Sequence, residues 1–487
     1  MKQIALVLTF LSVVITSCQE SATPPEAYGV LPSERQLAWH EMETYALVHF
    51  TPTTFENKEW GYGDADPSVF NPSNFDPNQI VGAAKAGGLK GLILVAKHHD
   101  GFALWPTKST EYNITKSPWK DGEGDMVKEF QEACERAGLK FGVYCSPWDR
   151  NSEFYGTPKY LEIYRTQLKE LYSNYGEFFM SWHDGANGGD GYYGGANEAR
   201  KIDNTTYYDW TNTWEGITRK LQPTANIFSD IGLDVRWVGG EHGYAAETHW
   251  ATFSPEANTG SVPVPGNVNT LVSSTGTRNG KYWMPAECDV PLRPGWFYHP
   301  EEDGKEKDAE ALFDLYLKSV GRGAGLDLGL APTPEGILHN NDVEILKKFG
   351  TRLADTFREN YISGATLKAS NVRGTAFGEE FLIDDDRYSY WATDDEVTNA
   401  SLEIELSKPA NFDLIRIREN IKLGQRIDKA TVEVFVNDAW KIVGEVNSIG
   451  ATRLIKLDTP VESDKIRITF NAPVAICISD IGIFKIK

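Results

Sequence analysis

The residues able to do chemistry in this chain sit in a few short blocks, and the sharpest is FFMSWHDGANGG, Phe178–Gly189. A strand-like apolar run stops there at Trp182, His183 and Asp184, and a glycine-rich loop follows. A carboxylate at the C-terminal mouth of a buried strand is where a (β/α) barrel keeps its chemistry, although Asp before Gly also starts turns. Similar endings recur. His49 closes the run Tyr45–Phe50, His98 and His99 close Lys90–His99, and Tyr144 and Trp148 end Lys140–Asp149. Arg236 and Glu241 follow the run Asn226–Asp230. Two carboxylates with aromatic, His and Arg partners suit glycoside hydrolysis, which needs a nucleophile, an acid, rings beneath a sugar and donors to its hydroxyls.

Other chemistries fit less well. No glycine-rich phosphate loop follows a strand, and no GxSxG elbow is present. Neighbours on a strand point to opposite faces, so adjacent His98 and His99 would not both serve one ion; no metal is assigned to the site. Cys134, Cys145, Cys288 and Cys477 are too scattered for a zinc knuckle or a disulfide framework. A net charge of −21 leaves no cationic excess for nucleic acid. Fourteen Trp and 21 Tyr are enough to supply sugar platforms, although Trp60, Trp105 and Trp148 read equally well as core.

At 487 residues the chain should hold two or three domains. Helix-like segments at 78–87, 125–137, 161–175, 211–221 and 309–320 alternate with the buried strands, of which Gly325–Ala331 is the last. Repeated β-then-α units predict a parallel sheet, here a TIM-type (β/α)8-like barrel spanning 31–359. From 360 to 487 the pattern becomes short alternating strands separated by turn residues, among them 401–406, 413–418, 452–457 and 465–470, which predicts an antiparallel β-sandwich after a linker. The N-terminus reads as a lipoprotein signal over 1–18, with Lys2, an apolar run from Ile4 to Ile15, and Cys18 as the lipidated residue. A polar tether, 19–30, follows. That run is too short to span a membrane, so contact with the bilayer is expected only through the lipid, in a bacterial cell envelope.

Taken in order, VHFTPTTFENKEWGYG, LILVAKHHDGFALWPT, FGVYCSPWD, FMSWHDGANG, SDIGLDVRWVGGE and VGRGAGLDLGLAP resemble glycoside hydrolase family 29, the α-L-fucosidases, from about Leu37 to Gly350. PAECDVPLRPGWFYH, 285–299, is similar to the subgroup preferring α-1,3/1,4-linked fucose on branched oligosaccharides. The resemblance implies a retaining double displacement with Asp184 as nucleophile and Glu241 as acid/base, on carboxyls about 5–5.5 Å apart. It aligns His49, Glu59, Trp60, His98, His99, Tyr144, Trp182 and Arg236 with the fucose site and directs Trp296 and His299 toward the aglycone sugars. Glu287 and Glu247 are rival acids, and Arg236 has an alternative role as a structural partner of Asp230 or Asp234. His183 stands where the family carries an aromatic or aliphatic residue; it either contacts substrate or packs. Residues 367–487, through LIDDDRYSYWATDD, resemble a discoidin (F5/8 type C) sandwich, whose acidic run could hold a structural Ca²⁺ or form a solvated turn. The implied substrates are fucosylated oligosaccharides or glycoconjugates. The alternatives are a fucosidase of broad or α-1,2 preference, or a non-catalytic glycan-binding lipoprotein on the same scaffold.

Overall fold

The computed structural model describes residues 22–203 and 209–487. Cys18, the signal segment and the first part of the tether lie outside the described residues. Eight parallel strands close into a barrel: β1 Thr44–Val48, β2 Gly91–Lys97, β3 Lys140–Cys145, β4 Met180–Trp182, β5 Asn226–Ser229, β6 Val235–Trp237, β7 Ala286–Pro291 and β8 Gly325–Leu330. The ring is sealed where β1 pairs with β8, Thr44 opposite Leu326.

Both faces of these strands are buried, which is why their sequences run apolar without alternation. Ala46, Val48, Leu92, Leu94, Leu326, Leu328 and Leu330 pack in the layer between sheet and helices. Tyr45, Leu47, Ile93, Val95, Tyr144, Trp182 and Phe228 fill the lumen. The surrounding helices Pro77–Ala86, Met126–Ala137 and Ala309–Lys318 begin where an aspartate accepts from their first free N–H groups: Asp76 from Asn78 and Gln79, Asp125 from Lys128, and Asp308 from Ala311.

Strict β/α alternation fails in one sector. Only residues 230–234 connect β5 to β6, with no helix, and Asp234 N–H turns back to Ile227 O at 3.1 Å. Between β6 and β7 the chain makes an excursion over 238–285, which contains a two-stranded ribbon pairing Thr252–Phe253 with Tyr282–Trp283.

The C-terminal domain is antiparallel, built on two long strands, Asn399–Glu419 and Arg453–Asn471, where the sequence pattern gave four short ones. Register shifts at Glu405/Ala410 and Phe412/Leu414 bend the pair around a core that includes Trp391, Phe412, Ile417, Ile468 and Phe470. This sandwich braces the 238–285 excursion. Ala251 N–H donates to Gln425 at 2.8 Å, His249 N–H to Ser448 at 3.1 Å, and Arg278 pairs with Asp428 at 2.5 Å. The acidic run of the sandwich is a turn that binds its own backbone: Asp384 accepts from Asp386 N–H and Ser389 Oγ, and Asp386 from Tyr388 N–H. Among the described residues, the acids and histidine that gather closely enough for a cation are Asp303, Glu306 and His339, where Arg293 already pairs with both acids.

Candidate active site

Asp184 leaves β4 at the C-terminal mouth of the barrel. Its Oδ1 accepts from Ala186 N–H at 2.7 Å and its Oδ2 from the Tyr144 hydroxyl at 2.9 Å, with His99 Nε2 at 3.6 Å from the same oxygen. Burial raises the pKa of Asp184 above the usual carboxylate range, and the two donors pull it back. Burial and the Asp184 charge push the Tyr144 hydroxyl far up, so it stays a neutral donor.

The three histidines meet at this mouth. β2 ends at Lys97, so His98 and His99 lie in the turn that follows it, and the opposite-faces expectation fails. Their rings are 4.1 Å apart. Asp100 fixes this turn by accepting from Thr51 and Thr53 hydroxyls and Phe102 N–H. His49 packs against His98 at 5.4 Å, and His99 bonds Ser146 Oγ through Nδ1 at 2.7 Å. Burial lowers His49 and His99 to about 3 and His98 further, so all three are neutral near pH 7. His49 Nδ1 and His98 Nδ1 are buried with no partner among the described residues. Buried polar atoms rarely stay unpaired, which marks both as groups awaiting a ligand. Trp60, about half exposed, sets its edge against His99 and Trp148 at 5.6 Å each, while Trp105 and Trp148 are core.

Glu241, exposed in the turn after β6, accepts from Trp296 Nε1 at 3.1 Å. Glu59 pins the loop that carries Trp296: it accepts from Trp296 N–H at 2.6 Å and Phe297 N–H at 3.3 Å. A Cβ on Gly295 would lie 2.6 Å from Glu59 Oε2, so a larger residue there would push the Glu59 carboxylate off these two N–H groups. His299 shares this bracing, with Nε2 at 3.1 Å from Glu59 and Nδ1 at 2.7 Å from Asn57. Both of its ring nitrogens are occupied, so the structure gives it a supporting position. Glu59, Glu241, His242, Tyr244, Trp296 and Lys307 help line a cleft of about 470 Å³.

Several candidates fall elsewhere. Arg236 is not brought to the mouth: it is fully buried, and its donors go to Ser273 O, Met284 O, Trp250 O and His249. Nor does it pair with Asp234, which is held by Arg35 and Arg219. The guanidinium instead ties the 238–285 excursion to β6. Trp182 lies in the lumen, its indole N–H donating to Glu287 Oε1 at 2.7 Å. His183 packs, with Nδ1 against Tyr164 and Nε2 against Ser181. Glu247 pairs with Arg322 and Arg453 at the domain junction.

Glu287 is sealed inside the barrel, accepting also from the Tyr45 hydroxyl. It faces Asp327, with no donor between two acceptors, so the pair must hold a shared proton; burial raises both, Glu287 to about 7. Sequence reasoning missed Ser146, Asp230 and Asp289. Asp289 is buried one step nearer the mouth, with Trp237 Nε1 on its Oδ1 at 2.7 Å. A carboxylate closing a strand was the signal available for Asp230.

A closed (β/α) barrel with a carboxylate just past β4, a second held by Trp296, and His49 and Tyr144 in contact between them suits a glycoside hydrolase scaffold. The α-L-fucosidase family model matches residues 26–356, and the NedA-like, galactose-binding domain model matches 381–468. Alpha-L-fucosidase 1 of Arabidopsis thaliana is 37% identical over 464 residues, 94% of this chain and 88% of that protein. The crystal structure of a glycoside hydrolase 29 family member from an unknown rumen bacterium shares 38% identity at a TM-score of 0.82, covering 95% of this chain and 78% of that one. A Ruminococcus gnavus GH29 fucosidase in complex with fucose shares 31% at 0.84, covering 96% and 97%. The chain therefore belongs to the α-L-fucosidases of glycoside hydrolase family 29 and carries a C-terminal F5/8 type C-like domain.

Proposed function

We propose that this fucosidase is a retaining exo-enzyme in which Asp184 is the nucleophile and Glu241 the acid/base. The observation that carries the assignment is a chain of contacts between the two acids: Trp296 donates to Glu241 and packs on His49, His49 packs on Tyr144, and Tyr144 donates to Asp184, while Glu287 and Glu247 are committed elsewhere. Asp184 attacks the anomeric carbon as Glu241 gives its proton to the departing glycosidic oxygen. Water then attacks the fucosyl-Asp184 ester as Glu241 takes a proton from it, and fucose leaves with its configuration retained. His49 and His98 direct their unpaired Nδ1 atoms at sugar hydroxyls, and Trp60 and Trp296 offer ring faces and edges to the apolar side of the sugar.

The preferred substrates are α-1,3/1,4-fucosylated, branched oligosaccharides or glycoconjugates. The support for this is the cleft of about 470 Å³ beside Glu241, to which His242, Tyr244 and Lys307 bring polar groups that suit aglycone sugars. The enzyme works outside the cytoplasm, anchored through Cys18, so Cys18→Ala should release it from the membrane fraction. The central test is fucose release from a Lewis-type trisaccharide, an α-1,2-fucosylated trisaccharide and 4-nitrophenyl α-L-fucoside, with the first-formed anomer read by NMR. Rapid release of α-fucose from the Lewis-type substrate is expected. A β-anomer as first product overturns the retaining mechanism, preference for the α-1,2 substrate overturns the linkage, and binding without release from any of the three overturns catalysis.

A further inference from the structure

Asp230 is an acid at the barrel mouth to which the double displacement assigns no work. It follows β5 as Asp184 follows β4, and the two strands are paired neighbours. A Cβ on Gly185 would lie 2.3 Å from Asp230 Oδ1 and 2.6 Å from its Oδ2, so the carboxylate rests against the backbone of the residue next to Asp184. Glycine at 185 is what permits that approach. Asp230 Oδ2 also accepts from Gly266 N–H at 2.7 Å, which ties it to the loop over 254–269.

The charged groups around it come from three directions. Asp184 faces it from the exit of β4, and burial together with that charge pushes the Asp230 carboxyl up to about 6. On its own side, Asp234 is turned away into Arg35 and Arg219 at 2.8 and 2.5 Å. The 254–269 loop brings an N–H and one acid, Glu256, which accepts from Asn269. Among the described residues no Lys, Arg or His side chain reaches Asp230.

We propose that Asp230 is a further working carboxylate of this active site, whose charge drives the nucleophile forward by repulsion. The proposal rests on Asp184 being the nucleophile. Two adjacent carboxylates raise the free energy of the resting, doubly ionised site. As Asp184 spends its charge in the new bond to the anomeric carbon, that repulsion falls, while the sugar ring gains positive charge that Asp230 attracts. Both changes are larger in the transition state than in the ground state, so they accelerate the step. No bond forms to Asp230 and no proton passes through it; it acts on Asp184 and on the sugar by its charge and position.

The test separates charge from tether. Asp230→Asn removes the charge while its Oδ1 can still accept from Gly266 N–H, and Asp230→Ala removes both. Asp230→Asn should lower kcat about tenfold with KM nearly unchanged, and the kcat/KM profile should lose its inflection near pH 6. An unchanged kcat and profile in Asp230→Asn overturns the proposal. So does a loss confined to Asp230→Ala, since the residue would then serve only the loop; thermal unfolding of both variants checks that each is folded. The nucleophile assignment is scored independently by Asp184→Gly with added azide: failure to form a fucosyl azide removes that assignment whatever Asp230→Asn does.

Discussion

The mouth of the barrel and the interior of the sandwich treat buried polar groups in opposite ways. In the sandwich Glu419 is sealed in, yet its Oε2 accepts from Arg426 and Ile427 N–H and its Oε1 from Gly450 N–H. Arg426 nearby spends its donors on Leu423, Ala475 and Glu26 carbonyls. At the barrel mouth His49 Nδ1 and His98 Nδ1 are equally buried and meet no partner among the described residues. A satisfied buried polar group holds a fold together, whereas an unsatisfied one is tolerated where a ligand will complete it. The contrast predicts that substitutions at the mouth change turnover and spare stability, and that substitutions in the sandwich do the reverse.

The largest effect tests the first half of that statement. Asp184→Ala should remove several powers of ten of turnover, as expected for loss of a covalent nucleophile, with a thermal midpoint close to wild type. Glu241→Ala should cost about 10²–10⁴-fold on a glycan substrate and far less on an aryl fucoside, whose leaving group needs no proton. Equal losses on both substrates would return the acid/base role to an open contest. His98→Ala should lower kcat/KM roughly 10–100-fold, the worth of one or two hydrogen bonds to a sugar hydroxyl in a buried site. A His98→Ala variant that unfolds instead would break the comparison.

Acid provides a middle-sized effect. His40, His49, His99 and His183 are held neutral to about 3 by burial, and His98 and His249 lower still. The unfolded chain binds these protons near pH 6.5, so stability from neutral histidine is present above that pH and is lost as pH falls toward 3. Six buried carboxyls oppose the six histidines: Asp100 and Asp230 at about 6, Glu287 and Glu419 at about 7, and Asp289 and Asp327 raised well above the carboxylate range bind protons more tightly when folded and gain stability on acidification. That gain is complete once the pH drops below about 4, the ordinary carboxyl value. Stability should therefore change little from pH 7 to 5. Below 4 it should fall by up to about 1.4 kcal/mol per pH unit for each histidine. No histidine lies beyond residue 339, so the barrel should fail first, which urea titrations at pH 7, 5 and 3.5 with a barrel-sited fluorescent probe would detect.

The sequence carried six of the eight barrel strands, because β1–β5 and β8 are apolar runs bounded by turn residues. The two it hid have physical reasons. β6 is three residues long, and β7, AECDVP, reads as polar because Glu287 and Asp289 point into a lumen where carboxyls share protons or accept from indoles. Asp184 was legible as an acid that ends a buried strand. The bracing roles of Arg236 and His299 were not, because spacing along a strand does not report which carbonyl or carboxylate will meet a side chain across the fold. The fusion of four predicted sandwich strands into two depended on bends at Glu405/Ala410 and Phe412/Leu414, which short-range alternation interrupts without ending.

The smallest effect on activity belongs to the sandwich and completes the contrast. Glu419→Gln keeps shape and volume, but a carboxamide has one acceptor oxygen where the carboxylate has two. Either Gly450 N–H or the pair Arg426 and Ile427 N–H must then face an NH₂ group, leaving buried donors opposed. Loss of one such bond in a buried site costs about 1–3 kcal/mol. Burial also raises the Glu419 carboxyl to about 7, so the folded state binds its proton more tightly than the unfolded one and the wild type gives up stability as pH rises from the ordinary carboxyl range through 7. Glutamine cannot titrate, so the variant should lose that pH dependence, and the gap between the two proteins should narrow at high pH. Chemical denaturation of wild type and variant at pH 5 and pH 8, with fucosidase activity measured on the folded fraction, reads both quantities. An unaltered kcat with a pH-dependent stability gap keeps the sandwich as a brace. A fall in kcat at full folding would instead mean that strain at Glu419 reaches Glu241 through the 238–285 excursion that the sandwich supports.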